Sequence, residues 1–354
     1  MYGEYKYFFR SMKFRGLFRS PKRFLVSIMR FVGVILFLIY IVVPLAIRFS
    51  ATVQRHLIFL PFLRYPYDID LTKPADLGIE GAVSLRIPTE SKMELGAWYI
   101  PPKTLASKKF EDFPLDSGHP VFVYLHGNSG SRANGHRIEL YKLLQELDYH
   151  IITFDYRGYA DSSPVPITED TVVTDSHNVI RFVEEKKGGP SLFIWGHSLG
   201  TGVGSRVAAE MCQASRCPKG LILESPFNNL RDEIRFHPFT YIYRYMPFFE
   251  YFFLDGMPSG GMSFTSDTHI ADIMSPVMIL HAEDDAVVPF HLGKKLFESA
   301  SQSKHFRSSE LLKFVGFESK HQYGHKFICR APQLSQLVKD FVNLAIIEPA
   351  VKSV

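Results

Sequence analysis

The stretch Ser191–Gly204, SLFIWGHSLGTGVG, constrains the chain more than any other. Leu192-Phe193-Ile194-Trp195 is a short apolar run of the kind that fills a buried strand. Gly196-His197-Ser198-Leu199-Gly200 follows as a G-x-S-x-G pentapeptide, and Thr201–Met211 is rich in small, helix-compatible residues. Strand, sharp turn and helix in that order are what a serine nucleophile on a strained turn requires. Side chains beside such a turn would collide with its backbone, and glycines at 196 and 200 leave the room. A chance G-x-S-x-G in a loop would need neither flank.

The remainder alternates strands with helices. Apolar runs at Ala82–Ile87, Leu95–Ile100, Val121–Leu125, Ile151–Phe154, Gly220–Leu223, Val277–Leu280 and Leu311–Phe314 predict strands. His136–Leu147, residues 169–187 and Leu334–Ile346 predict helices. Such alternation gives an α/β domain, a mostly parallel sheet with helices on both faces. A chain of 354 residues is long enough for one large domain and an anchor.

The anchor is near the start. Phe31–Ile47 contains no charged residue, and with Leu25–Met29 and a snorkelling Arg30 the apolar span covers residues 25–47. That suffices for one transmembrane helix with some tilt. A cleaved signal peptide would show a shorter apolar core and a small-residue cleavage site. The formal net charge of +4 is unevenly spread: residues 1–30 hold eight Lys and Arg against Glu4 alone, so the rest carries −3. The positive-inside rule puts residues 1–24 in the cytosol and the body in a lumen, such as that of the endoplasmic reticulum, or outside the cell. The body gives no compositional hint of nucleic-acid binding. Ser50–Tyr67, rich in apolar and aromatic residues, shows no clean strand or helix period. It suits either the membrane interface or packing on the domain. Cys212, Cys217 and Cys329 form no metal-binding pattern, and spacing leaves a Cys212–Cys217 disulfide open. The resulting division is 1–24 basic segment, 25–47 span, 48–79 juxtamembrane segment, 80–346 catalytic domain, 347–354 tail.

Attack on an ester by serine needs a base, an orienter for the base, and donors for the oxyanion. Ser198 is the nucleophile. The acid follows a strand in His281–Pro289, HAEDDAVVP, where Asp285 is favoured over Asp284 by its spacing to Val288 and Pro289. The base belongs in Glu318–Phe327, ESKHQYGHKF, where His325 after Gly324 is favoured over His321. Oxyanion donors are expected from the backbone N–H of Leu199 and, after Val121–Leu125, of Asn128 in HGNSG. No metal or cofactor is called for. Between the sixth strand and the acid, residues 227–276 contain ten aromatic residues within Phe236–Phe253. They read either as an apolar lid, with Phe236, Phe239, Phe249 and Phe252 against substrate, or as one amphipathic helix on the core.

These residues, together with TVQRHLIFL, YLHGNSGSR, TFDYRGYADS, LILESPF, HPFTYIYRYMP and LHAEDDAVVPF, resemble the α/β-hydrolase domain-containing protein 12 family. The likeness runs from about Thr52 to Phe341. It implies an α/β-hydrolase fold with a lid insertion at about 227–276 and a triad of Ser198, Asp285 and His325. It also implies a membrane-anchored serine lipase that hydrolyses lysophosphatidylserine and monoacylglycerol in the bilayer. Ala160 and Asp161 depart from the RGxG turn common in related hydrolases, and no N-x-S/T sequon is present. A thioesterase or peptidase on the same scaffold is the alternative, and a non-catalytic interaction protein a more distant one.

The charge asymmetry makes topology testable. Protease added to sealed microsomes should spare residues 48–354. An acceptor site engineered into the Lys103–Gly118 loop should be glycosylated, since the native chain supplies no such reporter. Digestion of the domain without detergent would reverse the orientation.

Overall fold

The computed structural model describes residues 21–89, 92–107, 115, 117–186, 191–306 and 310–347. The basic segment up to Ser20, Lys187 of the expected helix, much of the loop before Val121 and the tail from Glu348 lie outside the described residues. Among the described residues, eight strands form one sheet. They are β1 Val83–Pro88, β2 Glu94–Ile100, β3 Val121–Leu125, β4 His150–Phe154, β5 Leu192–His197, β6 Gly220–Glu224, β7 Val277–Ala282 and β8 Leu312–Phe317. The order is β1-β2-β4-β3-β5-β6-β7-β8. The first two pairings are antiparallel and the others parallel.

Every residue of β3, β4, β5, β6 and β7 is buried, as a parallel sheet covered on both faces requires. Alternation along a strand feeds two cores. Val121, Val123 and Leu125 face one, while Phe122 and Tyr124 face the other. Phe122 stacks on Phe193 with ring centroids 5.1 Å apart. Helices α4 Gly135–Glu146 and α10 Leu334–Ile347 cover one face. Helices α5 Glu169–Glu184, α6 Leu199–Gln213 and α9 Phe290–Ser301 cover the other.

The anchor is helical from Pro21 to Phe49: α1 Pro21–Phe37, a π turn Leu38–Val42, and α2 Val43–Phe49. Its stretch Lys22–Phe49 is long and apolar enough to cross a membrane, and its most apolar 18 residues, with mean hydropathy 2.6, are unburied. The π turn precedes Pro44. A proline ring crowds the carbonyl four residues back, here Tyr40, and the wider turn, with Val43 N–H donating to Leu38 O, relieves it.

Two helices lie outside the sequence expectation. Ala51–Phe59 (α3) is a regular helix whose start is capped by the Ser50 side chain accepting from Val53 N–H at 3.3 Å. Its inward face carries Gln54, which reads as polar and hides the period, yet Gln54 and Phe59 are both buried. The packing reading holds for α3, which docks on the domain, while Phe62, Leu63, Tyr65 and Tyr67 are exposed. The other is α9, which buries Leu292, Leu296 and Ala300 at helical spacing. Residues 227–276 form no single amphipathic helix. They fold as α7 Leu230–Phe236, a run of short turns and α8 Ser266–His269. Tyr243, Phe249 and Phe253 are buried there, while Phe239, Tyr241, Tyr245 and Phe248 are exposed. Cys212 and Cys217 are joined by a disulfide at the end of α6.

Gln54 fastens the anchor to this body. Its Nε2 donates to Ile47 O at 2.8 Å, taking a carbonyl that the end of α2 leaves unpaired. Next to it, Arg55 Nε donates to Gly260 O at 3.1 Å, and the Arg48 guanidinium lies 4.6 Å from the Tyr251 ring centre. Gln54→Leu keeps the volume but removes the donor. It should cost about 1–3 kcal/mol, seen as a lower Tm in detergent micelles; an unchanged Tm would show that the corner does not depend on this bond.

Candidate active site

Ser198 sits between the end of β5 and the start of α6 at φ 54°, ψ −120°, a left-handed conformation costly for a residue with a side chain. Its neighbours make it possible. A Cβ on Gly200 would strike the Leu125 carbonyl, and one on Gly196 would strike the Gly200 carbonyl. The two glycines thus let the start of α6 lie directly on the end of β3. Ser198 is buried, and its Oγ has no hydrogen-bond partner among the described residues.

The loop after β7 carries Asp285, the expected acid. Asp285 Oδ1 accepts from the backbone N–H of Val287 and of Val288, both at 2.9 Å. Its Oδ2 meets His325 Nδ1 at 2.7 Å and lies 3.4 Å from His281 Nε2. Burial alone would raise the Asp285 pKa. The charge of His325 and hydrogen bonds from His281 and His325 outweigh burial and hold the carboxyl well below its ordinary range. Asp284 does different work. Its Oδ2 accepts from Gly324 N–H at 3.0 Å, fixing the turn that presents His325, and Gly324 has φ 52°. His321 is exposed and stacks on Tyr323 instead, with centroids 5.4 Å apart.

His197 ties that loop to the serine turn. Its Nε2 donates to the His325 carbonyl at 2.8 Å, and the two rings lie 5.0 Å apart. Burial, with His325 adding, pushes the His197 ring down to about 3, so it is neutral and the donating nitrogen carries the proton.

The third loop, residues 126–134, approaches from β3. A Cβ at Gly127 would press on Ser198 Cβ and His197 Nδ1, each 3.3 Å away. His126 is structural: its Nδ1 donates to Gly127 O at 2.6 Å and its Nε2 accepts from Tyr156 N–H at 3.3 Å. Burial, followed by the charge of Arg137, keeps that ring well below its ordinary pKa. Arg132 anchors the far end. Its backbone N–H and its Nη1 reach Asp155 at 2.7 and 2.5 Å, and Nη1 also reaches Asp161 at 2.6 Å. These pairs account for Asp161 in this turn, and Ala160 beside it holds φ 45°. Tyr159 Oη donates to the carbonyls of Phe59 and Asn128, linking α3 to this loop.

A cavity of about 270 Å³ opens over Ser198. Leu199 and Asn128 line it beside the serine, and their backbone N–H groups have no acceptor among the described residues. Of the expected lid residues only Phe239 lines it. Phe236 turns to His291, Phe249 stacks on Phe253, and Phe252 packs against Tyr251. The walls are instead Ile47 of α2, Leu57 and Ile58 of α3 and Leu60 just after it, with Phe253 and Met257 of the insertion. Nothing in a local reading announces these residues, because they come together only when α2 and α3 dock on the insertion.

Ser198→Ala, Asp285→Asn and His325→Ala should each lower turnover by about 10⁴-fold while the protein still folds, and their effects should not add. Asp284→Asn keeps an acceptor for Gly324 N–H and should retain most activity. The depressed Asp285 pKa adds stability that is complete above an unfolded Asp value of about 3.9 and lost only as pH falls towards the depressed value. Asp285 should therefore add no limb to the kcat/KM–pH profile above about pH 5. Activity that survives Asp285→Asn but not Asp284→Asn would reassign the acid.

Comparison with known proteins agrees with this geometry. Residues 120–247 match the model of the α/β-hydrolase fold family. The chain is 42% identical over 313 residues to lysophosphatidylserine lipase ABHD12 of Gallus gallus, covering 86% of this chain and 81% of that protein. It is 34% identical over 294 residues to protein ABHD12B of Homo sapiens, covering 81% and 79%. An esterase from Pyrococcus furiosus superposes with a TM-score of 0.59 at 17% identity, over 80% of this chain and 97% of the esterase, and so shares the fold. With a sheet of this order, a serine turn of this geometry and that identity across most of its length, the chain belongs to the ABHD12 family of α/β hydrolases.

Proposed function

We propose that this protein is a membrane-anchored serine lipase that cleaves the acyl ester of single-chain lipids, lysophosphatidylserine and monoacylglycerol, through an acyl-enzyme on Ser198. One observation carries the reading: the cavity over Ser198 is lined by the end of the anchor helix and by α3 as well as by the hydrolase domain. The relatives' name, lysophosphatidylserine lipase, supports the same substrate class.

In the proposed mechanism Ser198 Oγ attacks the ester carbonyl and passes its proton to His325 Nε2. Asp285 fixes the ring through Nδ1 and stabilises the imidazolium. The backbone N–H groups of Leu199 and Asn128 take the oxyanion. Collapse breaks the acyl–oxygen bond, and His325 returns the proton to the leaving glycerol oxygen. Water, activated by the same histidine, then releases the fatty acid and restores Ser198.

The acyl chain has an apolar bed of Ile47, Leu57, Ile58, Leu60, Phe253 and Met257. Each side chain fully buried against it is worth about 1.5–3 kcal/mol, partly offset by about 0.5–1.5 kcal/mol for each group ordered. Ring contact between Tyr40 in the anchor and Tyr243 in the insertion, 6.0 Å between centroids, ties the insertion to the apolar span. The exposed Phe239, Tyr241, Tyr245 and Phe248 suit an interfacial face. The catalytic body is assigned to the lumenal or extracellular side, and the Cys212–Cys217 disulfide supports an oxidising compartment.

A chain-length series at fixed head group tests the reading. Long-chain monoacyl lipids should exceed short soluble esters, thioesters and peptides in kcat/KM, and Ile47→Ala with Leu57→Ala should erode the long-chain advantage by about tenfold. A thioester or peptide turned over faster than every lipid, by wild type and not by Ser198→Ala, would replace the lipase with the alternative.

A further inference from the structure

The cavity is apolar except at one corner. Asn128 faces it beside Ser198, and Thr240 gives its hydroxyl to the Ile234 carbonyl at 2.6 Å. That leaves Glu233 and His237. They stand four residues apart at the end of α7, with His237 N–H donating to Glu233 O at 2.8 Å, so their side chains share a face. Glu233 is 9% exposed. Its carboxyl makes no hydrogen bond or ion pair among the described residues, and Oε2 is wholly buried without a partner. A carboxyl left so is costly, and a ligand that completes it relieves the cost. His237 Nδ1 accepts from Phe239 N–H at 3.1 Å, so the neutral ring carries its proton on Nε2 as a donor.

The surroundings show which half of a substrate this corner meets. Val287 and Val288 of the Asp285 loop line the same cavity, and α7 meets α9, which follows that loop, through the Phe236–His291 ring contact and the Asp232–Lys295 pair, so Glu233 and His237 lie on the acid–base side of the serine. His325 must protonate the leaving oxygen, hence the alcohol half lies there and the acyl half lies along the apolar walls. Burial, with Asp285 adding, pushes the Glu233 carboxyl up to about 8, so at neutral pH it offers one O–H donor and one acceptor. Burial, then His325, lowers His237 below its ordinary value and keeps it uncharged. A neutral donor–acceptor pair of this kind matches a hydroxyl rather than a phosphate.

We propose that Glu233 and His237 form the alcohol-side subsite, and that they recognise a free hydroxyl on the glycerol carbon next to the scissile ester. This rests on the lipase reading above. The group is common to monoacylglycerols and lysophospholipids, so a single subsite serves both.

The test uses the full-length enzyme in mixed micelles with four substrates. These are 1-oleoylglycerol, the mono-oleoyl ester of propane-1,3-diol, 1-oleoyl-lysophosphatidylserine, and the last lacking its 2-hydroxyl. Wild type should prefer the hydroxylated member of each pair by about tenfold in kcat/KM. Glu233→Leu and His237→Phe should bring the ratio towards one for both pairs. Glu233→Gln, which still donates and accepts, should keep most of the preference. Labelling of Ser198 by a fluorophosphonate reports that each variant is folded, and the wild-type ratios stand on their own if a variant fails to label.

Wild type indifferent to the hydroxyl overturns the proposal, as does a labelled Glu233→Leu with an unchanged ratio. A variant that slows both lysophosphatidylserines alike, with their ratio and both neutral esters unchanged, would assign the corner to the serine head group and overturn it too. Absence of turnover of all four lipids by wild type would instead remove the lipase reading on which it rests.

Discussion

The contact between Gly200 and the end of β3 is the constraint on which the site depends. Without a side chain at 200, the start of α6 rests on the carbonyls of Leu125 and His126. The start of α6 is thereby brought closer to the end of β3 than a side chain at 200 would allow. Ser198 is forced to positive φ at that point, and the loop leaving β3 is delivered beside it. Parallel strands put all their C-terminal ends on one edge, so the loops after β3, β5, β7 and β8 converge there by topology alone. The glycines set the separation, and the topology sets the company.

Buried ionic groups then hold the loops in register. Arg132 joins Asp155 and Asp161, and Arg157 joins Asp175 at 2.5 Å. Such pairs add little net stability, because desolvation offsets their attraction, but removing one partner strands a charge. Their effect here is positional. The Arg132 pairs tie the turn after β4 to the loop after β3, and Tyr159 in that same turn reaches the Phe59 carbonyl in α3. A network that begins at the loop after β3 thus ends at α3.

What the sequence displays and what it hides follow from locality. Strand ends announce themselves, since an apolar run must stop before a Gly, His or Asp can begin a loop; Ser198, Asp285 and His325 are all marked in this way. The anchor is legible because twenty-odd apolar residues have few other uses. The cavity walls are not, because Ile47 and Leu57 read as membrane and interface until α2 and α3 fold back on the insertion. Gln54 conceals a helix by placing an amide on its inner face. Glu233, within LRDEIRF, reads as one more solvated charge. Aromatic density marks residues 236–253 as unusual, but which rings turn inwards is a matter of tertiary packing, and Phe249 and Phe253 stack on each other while Phe239 borders the cavity.

Ile47 is the last turn of the anchor and also a wall of the cavity. An enzyme built so, and anchored in a bilayer as proposed above, samples a two-dimensional solution. The concentration it senses is the mole fraction of substrate in its own leaflet, and dilution with inert lipid slows it while dilution of the vesicles in buffer does not. The two products also part company. The fatty acid remains in the leaflet beside the entrance, where it competes with the next lipid, whereas the glycerol half departs into water. Accumulated fatty acid is thus a brake that the membrane itself supplies.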